Sequence, residues 1–309
     1  MKYALLFPGQ GSQSVGMLSP LGLPEVEQTF VEASDVLGWD LARLVREGPA
    51  EELNRTEKTQ PAMLAGGIAV WRHWRSRGLP TPAALAGHSL GEYSALVAAG
   101  SLTFADALKL VELRGQLMQA ATPGGMMVVV GLDDPGVDAL CAACPDGVLE
   151  PANFNAPGQV VVAGEMRALE WLEANGKAKG ARMLKRVAMS VPSHSTLLRD
   201  AAAQLAETLA RTQIRAPEVA VRHNIDGRAR STPEEIRAAL AEQLYRPVRW
   251  TQTIQGLHAD GITTLFECGP GKVLAGLNKR IAEGLTSVAL EDRAGLDQAA
   301  QLVAQEKSP

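Results

Sequence analysis

Five consecutive residues have the types and spacing of an activated serine. Gly87-His88-Ser89-Leu90-Gly91 follows the short apolar run Ala83–Ala86 and precedes the helix-forming segment Glu92–Ala99. Between a strand and a helix, this G-x-S-x-G pattern predicts a nucleophile elbow, because the glycines allow a sharp turn. The turn would hold the Ser89 hydroxyl above the end of a sheet, with backbone N–H groups and the positive end of a helix dipole beside it. The pattern indicates nucleophilic catalysis through an oxyanion.

A serine nucleophile needs a general base, and His194 is the best candidate among the five histidines. It follows Ser190-Val191-Pro192-Ser193, in which the proline restricts the backbone. We expect His194 at the start of a helix, whose dipole keeps the ring neutral. A helix-capping or surface histidine is the alternative interpretation. His88 is adjacent to Ser89, but neighbouring side chains diverge on a tight turn, so we expect this ring to brace the elbow.

A single arginine interrupts an apolar helical stripe. Arg114 lies three and four positions from the apolar residues Leu110, Val111, Leu117 and Met118. A buried guanidinium needs a partner, and its planar fork suits a carboxylate. Two interpretations remain open: a structural ion pair with an internal carboxylate such as Glu92, or a site for the carboxylate of a substrate.

Two glycine-rich stretches resemble nucleotide-binding loops only in part. Phe7-Pro8-Gly9-Gln10-Gly11-Ser12-Gln13 lacks the third glycine of a dinucleotide fingerprint, because Ser14 stands there. Gly269-Pro270-Gly271-Lys272 lacks the first glycine of a phosphate loop and is followed by Val273 instead of serine or threonine. Nucleotide binding is therefore not indicated, but the first loop could bring a backbone N–H to Ser89.

Composition predicts a globular protein. The 309 residues are 46% apolar and 21% charged, with a net charge of −4 that does not favour nucleic acid. The apolar run after Lys2 stops at Pro8, and no apolar stretch is long enough for a membrane span, so we expect a cytoplasmic protein. The three cysteines fit a reducing compartment, and we interpret Cys141 and Cys144 as structural rather than as a zinc or redox pair.

The order of elements predicts an α/β protein of two units. A large α/β hydrolase-like domain with a parallel sheet would combine residues 1–124 and 192–309. An inserted small ferredoxin-like domain at 125–191 would have the order βαββαβ. Its predicted elements are strand 126–130, helix 134–143, strands 148–153 and 159–163, helix 165–175 and strand 181–187. In the large domain we expect strands at 2–7, 83–86, 218–222, 263–267 and 286–290, and helices at 24–37, 60–77, 90–99, 103–121 and 195–211. A cleft between the two units would be the default site.

Six segments carry a resemblance to a known family. In chain order they are Phe7–Gln13, Thr59-Gln60-Pro61-Ala62, Gly87–Leu96, Glu112-Leu113-Arg114-Gly115, Val191-Pro192-Ser193-His194 and Glu267-Cys268-Gly269-Pro270-Gly271. Together they resemble the malonyl-CoA:acyl carrier protein transacylases of bacterial fatty acid synthesis, over nearly the whole chain.

The resemblance implies a role for each matching residue. Ser89 would take the malonyl group as an ester, with His194 as its base and the N–H groups of Gln10 and Leu90 as the oxyanion hole. Arg114 would bind the malonyl carboxylate, with Gln60 lining the pocket. The family orients its histidine with a main-chain carbonyl, which we assign to Arg249, at a position where some members have glutamine. The implied reaction requires no metal or other cofactor, and its partners would be malonyl-CoA and acyl carrier protein. We also expect a monomer.

Three other interpretations stay open at this point. An α/β-hydrolase esterase or thioesterase shares the elbow, but would carry an acid between the serine and a C-terminal histidine. A non-catalytic binding module would have an inert serine. The same chemistry also serves polyketide synthases and malonate decarboxylases.

A basic cluster near the end of the small domain could dock an acidic carrier; it consists of Lys177, Lys179, Arg182, Lys185 and Arg186.

Overall fold

Short apolar strands and helices alternate along the chain. The computed structural model describes residues 2–121, 123–189 and 191–305. In these ranges the strands are β1 (Tyr3–Phe7), β2 (Ala84–Gly87), β3 (Gly125–Val130), β4 (Leu149–Ala156), β5 (Gln159–Gly164), β6 (Met183–Arg186), β7 (Val221–Arg222), β8 (Ala229–Arg230), β9 (Thr264–Glu267) and β10 (Thr286–Ala289). The helices are α1 (Pro24–Leu37), α2 (Leu41–Glu47), α3 (Ala50–Leu53), α4 (Thr56–Ser76), α5 (Gly91–Ala98), α6 (Phe104–Ala120), α7 (Asp134–Ala142), α8 (Met166–Asn175), α9 (Arg199–Arg211), α10 (Pro233–Gln243), α11 (Trp250–Ala259), α12 (Val273–Asn278) and α13 (Arg293–Gln305).

The larger of two sheets carries the nucleophile. Among the described residues its strands lie in the order β10-β9-β1-β2-β7-β8, and all neighbours are parallel except β7 and β8. Every residue of β1 is buried, as expected for a central strand covered by helices on both faces. Because Phe7 is paired with Gly87 in a parallel register, the loops after β1 and β2 leave the sheet side by side.

The second sheet is formed within residues 125–186. Its strands lie in the order β4-β5-β3-β6, all antiparallel, and the chain runs β3-α7-β4-β5-α8-β6. This is the predicted order of strands and helices, and the predicted bounds differ by at most three residues. One face of the sheet packs on α7 and α8 through the apolar cluster that includes Val129, Leu140 and Leu169. Its other face carries Met126 and Val161, which line a cavity shared with the larger unit.

Backbone hydrogen bonds join the two units along β4. The N–H of Phe154 donates to the carbonyl of Val248 (2.9 Å), and the N–H of Val248 donates to that of Ala152 (2.8 Å). The Thr251 hydroxyl donates to the carbonyl of Phe154 at 3.1 Å, and the Arg249 guanidinium lies over the Phe154 ring. The small unit is therefore tied to the large one by strand-like pairing as well as by its two chain connections.

Helix α4 begins one turn earlier than predicted. The sequence interpretation placed its start at Gln60. The helix instead begins at Thr56, and Pro61 lies inside it. Gln60 is consequently a fully buried helical residue that faces α6. No helix in the described ranges is long and apolar enough to span a membrane.

Candidate active site

The elbow between β2 and α5 holds Ser89 in a conformation that few residues adopt. Its φ is 52°, in the left-handed region, and the surrounding close packing maintains it. A Cβ on Gly87 would lie 1.9 Å from the carbonyl carbon of Gly91, and one on Gly91 would lie 2.1 Å from the carbonyl oxygen of Phe7. Both glycines are therefore required by close approach, as the G-x-S-x-G pattern predicts.

His194 lies against the Ser89 hydroxyl. Its Nε2 is 2.7 Å from Ser89 Oγ, and its Nδ1 is 2.8 Å from the carbonyl oxygen of Gln243. Because a carbonyl only accepts, Nδ1 carries the proton and Nε2 presents a lone pair to the serine hydroxyl. Like Ser89, His194 has a positive φ, 61°, and it is buried. The surface and capping interpretations of this histidine are therefore wrong.

The neutral state of His194 has a different cause from the one predicted. Helix α9 begins only at Arg199, after a 3-10 turn at Thr196–Leu198, so His194 does not lie at the start of that helix and the predicted N-terminal dipole does not explain its neutral ring. Burial, and after it the positive charge of Arg114, lowers the pKa of His194 to about 3. The imidazole is therefore neutral at physiological pH and can accept the serine proton.

The carbonyl that orients His194 belongs to Gln243, and its assignment to Arg249 was wrong. The Arg249 carbonyl accepts from the N–H and hydroxyl of Thr253 in the first turn of α11. The Arg249 side chain packs on Phe154 of the small unit instead of entering the site. Gln243 is the last residue of α10, where carbonyls lack intrahelical donors, so its oxygen is available to the histidine.

The loop after β1 contacts the elbow. A Cβ on Gly9 would lie 2.7 Å from the carbonyl oxygen of His88, which places the neighbouring Gln10 beside the turn. The N–H of Ser89 is already engaged, because it donates to Asn224 Oδ1 at 2.6 Å. Leu90 is the N-cap of α5, where N–H groups have no intrahelical acceptor. Gln10 and Leu90 thus remain the predicted oxyanion donors.

The guanidinium of Arg114 is buried beside the nucleophile, held by neutral groups. Its Nη2 lies 3.2 Å from Ser89 Oγ and 3.2 Å from Gln243 Oε1, and its Nη1 donates to Gln60 Oε1 at 2.9 Å. Within the described part of the chain, no carboxylate lies at ion-pair distance from it, and its Nε has no partner. The alternative of a direct Arg114–Glu92 ion pair is therefore wrong. A buried cation without an anion favours an anionic ligand.

His88 braces the elbow from the side of the small unit. Its Nε2 is 2.8 Å from Asn155 Oδ1 on β4, and its ring packs on Trp250 with centroids 5.4 Å apart. Burial lowers its pKa, so the ring is neutral and donates from Nε2 to the amide oxygen. The hydrogen bonds of Ser89 Oγ are with His194 and Arg114, whereas that of His88 is with Asn155.

Sequence reasoning missed three residues of this site. Asn224 clamps the elbow, because its Nδ2 donates to the Gly87 carbonyl at 2.6 Å while its Oδ1 accepts from Ser89. Asn155 and the amide of Gln243 were missed as well. The only available signal was that Asn224 follows a predicted strand at the end of the sheet where the elbow lies, and asparagines in loops are common.

The cleft between the two units leads past these residues. One cavity of about 180 Å³ is lined by Gln10, His88 and Asn155 together with apolar side chains of both units. A second, of about 470 Å³, is lined by Arg55 and Arg186 and shares Met126 and Met189 with the first. An extended substrate could therefore approach the elbow between the units.

The partial match to a phosphate loop at 269–272 has a structural explanation. The Glu267 carboxylate accepts from the N–H groups of Leu274 (3.1 Å) and Ala275 (2.8 Å) at the start of α12. The Glu267 carboxyl group therefore occupies the place that a phosphate would take. Burial raises the pKa of Glu267 to about 7.

The predicted structural role of the cysteine pair agrees with the burial of Cys141, which raises the pKa of its thiol to about 12. Among the described residues, no group of three or more His, Cys, Asp or Glu side chains could hold a metal ion.

The site and fold define a serine acyltransferase: an elbow serine, a neutral histidine and a buried guanidinium lie side by side. The family model described as an acyl transferase domain matches residues 4–295. The malonyl CoA-acyl carrier protein transacylase of Salmonella typhimurium is 50% identical over 304 residues, 96% of this chain and 98% of that protein. The Bacillus subtilis protein of the same name is 39% identical, over 99% of this chain and 98% of its own length.

Solved structures agree with these relatives. A malonyl-transacylase in complex with its type II PKS acyl-carrier protein has a TM-score of 0.95 and 48% identity, covering 98% of this chain and 100% of that one. The malonyl-CoA:acyl carrier protein transacylase of Xanthomonas oryzae has a TM-score of 0.95 and 49% identity, covering 98% and 99%. The chain belongs to the malonyl CoA-acyl carrier protein transacylase family and is an acyltransferase.

The low pKa of His194 leads to a pH prediction. The fall of kcat/KM toward acid pH, its acid limb, reports the pKa of the catalytic base in the free enzyme. The midpoint of this limb should therefore lie well below the ordinary histidine pKa of about 6.5. Since Arg114 helps to lower the pKa of His194, Arg114→Met should raise that pKa and move the limb up by about one pH unit. An uncharged active ester, p-nitrophenyl acetate, is the suitable probe, followed from about pH 2 to about pH 8. A limb at the same pH in both proteins would contradict this coupling.

Proposed function

We propose that this chain transfers a malonyl group from malonyl-CoA to the phosphopantetheine thiol of acyl carrier protein through a malonyl-Ser89 intermediate. The observation that carries the proposal is the buried Arg114 guanidinium, which lies 3.2 Å from the nucleophile and, among the residues that the structure describes, hydrogen-bonds neutral side chains. An acyl group that ends in a carboxylate would give this cation its missing anion. The names of the relatives support malonyl as that group.

In the first half-reaction, His194 Nε2 takes the Ser89 proton as Oγ attacks the thioester carbonyl. The oxyanion would accept hydrogen bonds from the N–H groups of Gln10 and Leu90. The tetrahedral adduct then collapses, the C–S bond breaks, and His194 returns the proton to the leaving thiolate. In the second half-reaction, the carrier thiol gives its proton to His194 and attacks the malonyl ester. Collapse releases Ser89 Oγ, which recovers the proton, and the kinetics are ping-pong.

The histidine-orienting carbonyl separates this mechanism from that of the thioesterase rival. An α/β-hydrolase would orient its histidine with an acid. Here Nδ1 donates to the neutral Gln243 carbonyl, so a protonated His194 is less stabilised than beside a carboxylate.

Several finer features complete the proposal. We assign all proton transfers to His194 and propose no metal or other cofactor, since coenzyme A enters as part of the substrate. We further propose a monomer that acts in the cytoplasm; the unpaired state of Cys141, Cys144 and Cys268 supports a reducing compartment.

We classify residues 1–124 and 192–309 as an α/β hydrolase-like domain, which the parallel order of the larger sheet supports. Residues 125–191 would form a ferredoxin-like domain, supported by the βαββαβ order.

The direct test is the intact mass of the protein after brief mixing with malonyl-CoA and, separately, with acetyl-CoA. We expect a malonyl adduct, and a much weaker acetyl adduct. Release of free coenzyme A without any adduct would point to a hydrolase with a short-lived intermediate, and the absence of both would contradict the proposal.

We assign the activity to fatty acid synthesis, with a polyketide carrier as the second candidate. The second candidate has a specific observation behind it, because the solved relative at 48% identity is bound to a type II PKS acyl-carrier protein. Transfer from the malonylated enzyme to each purified carrier type, compared at equal concentration, distinguishes the two. A malonate decarboxylase role would require its own carrier as the preferred acceptor.

The basic cluster of the small unit provides a prediction about the carrier. Lys179 and Lys185 are exposed, whereas Arg186 is paired with Glu173 and lines the larger cavity of the cleft. Reversing both lysines to glutamate should raise the apparent KM for carrier protein roughly tenfold, while that for malonyl-CoA stays the same. Lys109→Glu, an exposed change on α6, is the matched control. An unchanged carrier KM would remove this surface from consideration.

A further inference from the structure

A second buried charge lies directly behind the elbow. Glu92, in the first turn of α5, is 1% exposed, and no step of the mechanism uses it. Its Oε1 accepts from His223 Nδ1 at 2.6 Å, and its Oε2 accepts from the N–H of Asn224 (2.9 Å) and from Gln243 Nε2 (3.0 Å). All three donors are buried. The carboxylate is thus fully engaged without touching Arg114.

The Gln243 amide has only one possible orientation. Its Nε2 donates both to Glu92 and to the carbonyl oxygen of Ser89 at 3.0 Å, and both of these groups can only accept. Its Oε1 faces Arg114 Nη2 at 3.2 Å, and a guanidinium can only donate. Turning the amide over would therefore place donor against donor and acceptor against acceptor.

We propose that Glu92 is a positioning residue for substrate selectivity, which acts through the Gln243 amide to hold Arg114 in the pose that receives the acyl carboxylate. This inference rests on the proposed malonyl transfer. It gives Gln243 two separable roles: the backbone carbonyl orients His194, and the side chain orients Arg114.

A neutral amide between the two charges has a physical reason. A carboxylate in direct contact with the guanidinium would form an ion pair and fill the place meant for substrate. An amide oxygen holds the guanidinium without neutralising it, and Gln60 does the same at Nη1. Glu92 supplies a negative charge nearby, which offsets part of the cost of burying Arg114 but leaves its donors open to a ligand.

The first variant is Gln243→Met, which removes the amide and keeps the backbone carbonyl that holds His194. The measured quantity is the ratio of kcat/KM for Ser89 acylation by malonyl-CoA to that by acetyl-CoA. We expect this ratio to fall about tenfold, because one hydrogen bond to a charged group is lost and only the malonyl donor uses that charge, whereas any loss common to both donors cancels in the ratio. Gln252→Met, an exposed glutamine on α11, should leave the ratio unchanged. Equal losses with both donors would mean a purely structural role and would overturn the proposal.

The second variant tests the relay from Glu92. A glutamine at position 92 has one acceptor oxygen and one donor group, so it cannot accept from His223, Asn224 and Gln243 together. Glu92→Gln should lower the malonyl-to-acetyl ratio, and the double variant with Gln243→Met should show no further fall beyond Gln243→Met. Additive losses in the double variant would overturn the relay, and so would an unchanged malonyl-to-acetyl ratio in Glu92→Gln. If Gln243→Met does not fold, the ratio measured for Glu92→Gln alone is the test. If the wild type forms no malonyl adduct, the proposed function fails, independently of this inference.

Discussion

Replacing Ser89 by alanine is expected to abolish the malonyl adduct and to slow transfer to the carrier by at least about 10⁴-fold. Ser89 Oγ is the only atom that bonds to the acyl group in the proposed sequence, and it lies 2.7 Å from His194 Nε2, the base that activates it. Residual binding and the oxyanion donors cannot replace a covalent intermediate. Intact mass after mixing with malonyl-CoA measures the adduct, and transfer of the malonyl group to carrier protein measures the rate.

The matched control for this experiment is Ser231→Ala, an exposed serine ahead of α10 that should leave both readouts unchanged. An adduct on Ser89→Ala that equals the wild-type level would place the nucleophile elsewhere. Loss of the adduct together with loss of the folded state would be uninformative, so thermal unfolding is followed in parallel. Because the hydrogen bonds of Ser89 Oγ to described residues are those with His194 and Arg114, its removal should change stability little.

The second large effect is expected from Arg114→Ala. The guanidinium is charged and buried, and a malonyl carboxylate would replace contacts that are now made by neutral amides. Losing a hydrogen-bonded charge pair of this kind costs about 1.5 to 3 kcal/mol, which lowers kcat/KM for malonyl-CoA roughly ten- to 150-fold. A neutral acetyl group gains nothing from the cation, so its rate should not fall in parallel. The malonyl-to-acetyl ratio of Ser89 acylation is the measurement.

Arg114→Lys distinguishes charge from geometry. Lysine keeps the positive charge but lacks the planar fork that can bind a carboxylate through two parallel N–H groups. We therefore expect a selectivity between those of the wild type and Arg114→Ala. A malonyl-to-acetyl ratio that stays at the wild-type value in Arg114→Ala would remove this residue from substrate recognition and would leave the neutral cradle of Gln60 and Gln243 unexplained.

Local sequence determined the elements and the identity of the nucleophile. Hydrophobic periodicity, and the glycines and prolines that end helices and strands, are patterns over a few residues. Helix 24–37 and the βαββαβ order of residues 125–186 could therefore be predicted closely. The elbow was equally readable, because Gly87, Ser89 and Gly91 lie within one turn and the close approaches of both glycines are local requirements of that turn. Residue types and spacing also singled out His194 and Arg114, and the resemblance to a known family then gave them roles and added Gln60.

Tertiary structure alone decided which groups surround these residues. The carbonyl that holds His194 lies 49 residues away in the chain, and Asn224 lies 135 residues from the serine N–H that it binds. No local pattern marks a helix-terminal carbonyl as a histidine partner, which is why Arg249 was chosen six positions from the correct Gln243. The pKa of His194 likewise depends on burial and on Arg114, and both arise only when α6, α10 and the elbow pack together. Backbone groups look alike in any sequence, so their roles appear only when the fold places them.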